Sequence, residues 1–146
     1  MWKYDNELQI KILRLGQYGC YALCLAWIVN DWSTRQGKGE VSPFTAIEGF
    51  IDSYGLIYNT SSFYFVRDAA KCLSHVTKTN WTVERQSPTI VTPPDFYEVL
   101  DYRKSNNEQH FVIGDRKGNV IFDPSNSLRQ PGWTLTSKRW IKEVVQ

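Results

Sequence analysis

Residues 16–32 read GQYGCYALCLAWIVNDW, and Ala22, Leu23, Leu25, Ala26, Trp27, Ile28 and Val29 leave almost no polar side before Asn30. A helix that is apolar nearly all round has to be covered on every side, so this segment predicts a buried central helix starting near Gly19 and Cys20. The apolar run over 21–29 is far short of the roughly 20 residues that cross a bilayer, so no membrane span is expected. The chain must therefore wrap other elements around one interior helix. With 146 residues and 42% hydrophobic composition it has the size and content for a single domain over 1–146.

The elements that would do the covering follow in order. Leu8, Ile12 and Leu15 stand at helical spacing, although Ile10 and Ile12 also alternate like a strand. Residues 33–41 read as a loop. Ser42 and Pro43 fit a cap and first helical position, giving a helix to about Ser53 with Gly55 as its stop. Residues 56–66 suit an extended piece, and 66–75 another helix. Beyond 80 the pattern changes: 81–85 alternates as a strand, 96–100 and 138–145 fit strand or helix, and 109–114 with 119–122 form a hairpin around Asp115, Arg116, Lys117 and Gly118. Helices first and strands second predict an α+β fold with an antiparallel sheet.

Net charge is only +2 and no Lys/Arg stripe is present, which argues against a nucleic-acid partner. Three cysteines do not make a disulfide framework, and the first ten residues have no apolar leader core. A cytoplasmic, reducing setting is expected. Neither a cofactor nor a metal is expected: Cys72 and His75 share a helical spacing, but zinc takes four ligands. Oligomeric state is left open. Aromatics are abundant at 14%, and Tyr18, Tyr21, Trp32, Trp133 and Trp140 are candidates for a recognition surface.

One constellation carries chemistry. Cys20 opens the buried helix, where backbone N–H groups and the helix dipole favour a thiolate. Gly19 lets the backbone turn into it. Gln17 precedes by three residues and has an amide N–H suited to an oxyanion. His110 begins a strand-like run. If Asp115 and Gly118 face each other across the turn, counting outward sets His110 opposite Asp123, with Cβ atoms about 4.5–5.5 Å apart. A carboxylate there would orient the imidazole. Cys24 lies deeper in the apolar helix and reads as core.

Residues 17–23 (QYGCYAL), 110–114 (HFVIG) and 118–124 (GNVIFDP) together resemble the papain-like cysteine peptidase superfamily. Within it they are most similar to the branch related to peptidases that remove double-glycine leaders from bacteriocins. The resemblance covers both ends of the chain and only loosely residues 30–90. It implies a papain-like fold, with a nucleophile helix packed on a C-terminal antiparallel sheet. It also implies Cys20 as nucleophile, His110 as base, Asp123 as orienter and Gln17 as oxyanion donor, and a peptide or protein substrate cleaved through a thioester. Sulfur and ring nitrogen should then lie about 3–4 Å apart. Two other readings stand beside it: an idle scaffold of this kind that binds a protein partner, and an NlpC-type cell-wall amidase.

Overall fold

The computed structural model describes residues 19–59 and 63–145. Gln17, Tyr18 and the segment 8–15 lie outside the described residues. Among those described there are three helices, α1 (Gly19–Arg35), α2 (Pro43–Asp52) and α3 (Ala69–Thr77). Strands β1 (Leu56–Asn59) and β2 (Phe63–Val66) pair as a small antiparallel hairpin. Strands β3 (Asn80–Gln86), β4 (Tyr97–Arg103), β5 (Gln109–Gly114), β6 (Val120–Phe122) and β7 (Thr134–Val144) form an antiparallel sheet in the order β3-β7-β4-β5-β6. The architecture is mixed α+β, with helices in the first half and the large sheet in the second.

Helix α1 lies at the centre, as its lack of a polar side requires. Ala22, Leu23, Cys24, Leu25, Ala26 and Ile28 are each 0% exposed. They share one core with Ala46 and Phe50 of α2, Leu73 of α3, and Val99, Phe111, Ile113 and Ile141 of the sheet. Indole and phenol groups fasten this arrangement. Trp32 Nε1 donates to Glu143 Oε1 at 3.0 Å, Trp81 Nε1 to Thr77 Oγ1 at 2.7 Å, and the Tyr97 hydroxyl to Asp31 Oδ2 at 2.7 Å.

Several expected boundaries move. Helix α1 runs to Arg35 rather than ending before Ser33, and Arg35 Nε pairs with Asp31 one turn back at 2.7 Å. Helix α2 starts as read, with Ser42 Oγ accepting from the Thr45 N–H and Pro43 in the first turn. It stops at Asp52, before Gly55, because Tyr54 takes the left-handed turn (φ 64°). The helix expected over 66–75 begins at Ala69, since Asp68 accepts from the Lys71 N–H and caps it, while Val66 stays in β2. Both ambiguous segments are strands. In β7, Ile141 faces the core and pairs with Val83 and Tyr97, whereas Trp140 packs beside Phe96. Of the aromatics considered for a surface, Trp32 is buried, and Tyr21, Trp133 and Trp140 are half-buried. No described helix is long and apolar enough to cross a membrane.

Candidate active site

Cys20 is the second described residue of α1. The side chain is 5% exposed. His110 is the second residue of β5 and is 2% exposed. Its Nδ1 lies 3.1 Å from Cys20 Sγ, across ninety positions of chain. Its other nitrogen, Nε2, lies 2.6 Å from Asp123 Oδ1. An ionised carboxylate only accepts, so Nε2 carries a proton and Nδ1 faces the sulfur.

Asp123 reaches the ring by a different route from simple cross-strand pairing. The turn is longer than the count assumed: the Asp115 N–H bonds to the Asn119 carbonyl, and the Asp115 side chain accepts from the Lys117 and Asn119 N–H groups. The ladder then pairs Gly114 with Val120 but Ile113 with Phe122, so Ile121 is a bulge. Carrying that register on would set residue 125, not 123, opposite His110. Ser125 Oγ indeed lies 3.5 Å from His110 Nε2. Asp123 follows the last residue of β6, and its carboxylate turns back to the ring. The N–H groups of Ser125 (3.2 Å, to Oδ1) and Leu128 (3.3 Å, to Oδ2) brace it.

Electrostatics follow from these contacts. Burial disfavours charge on His110, but the hydrogen bonds to Asp123 and Cys20 and their charges outweigh it, raising the imidazole from 6.5 to about 9. Burial also pulls the Asp123 carboxyl upward, yet the bonds from His110, Ser125 and Leu128 hold it below its ordinary value. The same contacts favour the protonated ring, with Nε2 directed at the carboxylate and Nδ1 at the sulfur. Cys24 is 0% exposed, and burial pushes it well above its ordinary value; burial pushes Cys72 up to about 12.

The loop after Asp123 folds over the ring. Trp133 lies 5.7 Å from the His110 ring centroid, and its Nε1 donates to the Ser127 carbonyl at 2.9 Å. Lys104 Nζ sits 4.7 Å from the Trp133 ring centroid. No spacing in the sequence ties Trp133 to His110. The bond from the Ser125 N–H to Asp123 is the turn contact that an Asp side chain makes with the N–H two residues on.

Two open hollows of about 590 and 570 Å³ lie elsewhere, one beside Ser74 and Asn80, the other against Trp32, Trp81 and Tyr97. Neither includes Cys20 or His110. His75 is exposed while Cys72 is buried, and no group of three or more His, Cys, Asp or Glu side chains gathers as a metal site among the described residues. Set against protein-family models, curated proteins and solved structures, the chain matches none.

Proposed function

We propose that the chain is a papain-like cysteine hydrolase that cleaves an amide in a peptide or protein through a thioester on Cys20. The observation that carries this reading is the unbroken line from Cys20 Sγ through both ring nitrogens of His110 to Asp123, at 3.1 and 2.6 Å. The Cys20 sulfur attacks the carbonyl carbon and an S–C bond forms. The oxygen takes the negative charge beside the Cys20 N–H at the start of α1, where helix geometry favours an anion. His110 gives its Nδ1 proton to the departing nitrogen, the C–N bond breaks, and a thioester remains. His110 then takes a proton from water. The resulting hydroxide attacks the thioester, the acid leaves, and the thiolate–imidazolium pair is restored. Asp123 keeps the ring turned throughout.

The test is the rate at which native Cys20 is alkylated by iodoacetamide at mildly acidic pH. Cys20 should react far faster than Cys72, and Cys20→Ala should abolish turnover of a peptide amide library. Alkylation of Cys20 no faster than that of Cys72 would remove the activated thiol.

A second reading is a non-catalytic scaffold that binds a protein partner. It is favoured by the low exposure of the pair, 5% for Cys20 and 2% for His110. It requires slow alkylation and a partner held equally by wild type and Cys20→Ala.

A further inference from the structure

The strand carrying His110 is pinned on both sides of that residue. On one side, Gln109 Nε2 donates to both oxygens of Asp101, at 3.0 and 3.1 Å. Asp101 is 0% exposed, accepts from Ser137 Oγ at 3.0 Å, and lies 3.8 Å from Arg139 Nη2 and 3.6 Å from Arg103 Nη2. On the other side, the Phe111 ring is stacked on Tyr21, with centroids 4.4 Å apart and planes 16° from parallel. The Arg139 guanidinium lies 5.9 Å from the Phe111 centroid and donates to Ser137 Oγ at 2.7 Å. Tyr21 immediately follows Cys20, and Phe111 immediately follows His110.

The sulfur sits on a helix and the imidazole on a strand, so their separation depends on how the helix end docks on the strand. The ring stack is one residue from each reacting group, which makes it the shortest lever on that docking. A stacked aromatic pair favours its contact geometry beyond the area it buries, and small displacements at a reacting pair are costly. A buried carboxylate is poor evidence for stability alone. Here Asp101 ties Gln109, Ser137 and Arg139 into one block, and Arg139 reaches Phe111.

We infer that Tyr21, Phe111, Arg139 and Asp101 are positioning residues that hold Cys20 Sγ and His110 Nδ1 within reach of a shared proton. This rests on the reading of Cys20 and His110 as the reacting pair. The test compares Cys20 alkylation by iodoacetamide across pH, alongside thermal melting, for wild type, Tyr21→Leu, Phe111→Leu and the double variant, with Tyr21→Phe as the conservative rescue. Loss of an aromatic pair should slow Cys20 about 3- to 10-fold on the acidic side of the profile in each Leu variant. One shared contact predicts a double variant within about twofold of the slower single. Tyr21→Phe, which keeps the stack, should recover most of the rate.

Folded Leu variants with the wild-type profile overturn the inference, as does a Tyr21→Phe variant that falls as far as Tyr21→Leu. If the Leu variants do not melt cooperatively, Arg139→Gln carries the test, since Arg139 is 15% exposed. A loss of about threefold is expected there, of the size of a modest cation–ring contact, and no loss overturns the inference. Wild-type Cys20 reacting no faster than Cys72 removes the parent reading, and the clamp with it. Fast wild-type Cys20 with unchanged Leu variants removes the clamp alone.

Discussion

Asp123→Asn keeps the shape of the side chain and removes its charge, which isolates what the carboxylate does for His110. In the wild type, Oδ1 accepts from His110 Nε2 at 2.6 Å and Oδ2 accepts from the Leu128 N–H at 3.3 Å. An Asn whose carbonyl oxygen faces the ring still accepts from Nε2, but its NH₂ then meets the Leu128 N–H, donor against donor. With the ring protonated, its bond to the carboxylate is an ion pair and its bond to an amide carbonyl is not, and a loss of about the gap between charged and neutral hydrogen bonds weakens the protonated ring by roughly 1–1.5 kcal/mol. At 1.36 kcal/mol per tenfold, that moves the His110 titration down by about one pH unit. The midpoint should fall from about 9 to about 8 by the same arithmetic. NMR titration of the ring protons reads this directly, because the chain has only two histidines and His75→Gln assigns them. Stability should follow the same proton. The folded value of about 9 lies above the unfolded 6.5. The contribution is therefore complete below pH 6.5 and is lost as pH rises through about 9, and Asp123→Asn should lose part of it. A His110 midpoint that does not move, or a wild-type midpoint at or below 6.5, would refute the claim that Asp123 holds the charge on the ring.

Two further outcomes test the frame around the site. Gly114→Ala sets a methyl against the Glu98 carboxylate and 3.0 Å from Leu100 Cδ1. Overpacking of that kind should lower stability by about 1–3 kcal/mol in denaturant melts. Trp133→Ala removes the ring beside His110, the seat of Lys104 and the bond to the Ser127 carbonyl. The Leu128 amide, which braces Asp123, should then exchange hydrogen faster while the core amides of β4 keep their protection.

What the sequence disclosed depended on whether the signal was local. Helix α1 was legible because an all-apolar helix has one place to go, and the start of α2 because Ser42 and Pro43 act on their own turn. The strand nature of 96–100 and 138–145 was not legible. What fixes it is pairing: β7 lies between β3 and β4, and Ile141 is buried only when Val83 and Tyr97 flank it. The Asp101 block was equally hidden, because its partners come from two other strands, Gln109 from β5 and Ser137 and Arg139 from β7, and no spacing rule joins them.

The hairpin shows how a count can name the right neighbour for the wrong reason. Counting from a four-residue turn made His110 and Asp123 ladder partners. The extra turn residue and the bulge at Ile121 move the ladder on by two, so the position facing His110 belongs to residue 125. Had Asp123 stayed within the ladder, its backbone N–H and C=O would be committed to β5 and its carboxylate would have only cross-strand partners. Just past Phe122 it can instead be gripped by the N–H groups of its own turn, Ser125 and Leu128, while one oxygen still meets the imidazole. Those N–H groups stabilise the ionised carboxyl, and the ionised carboxyl keeps the proton on His110. The bulge that spoils the register is therefore what lets a strand end orient the ring facing Cys20.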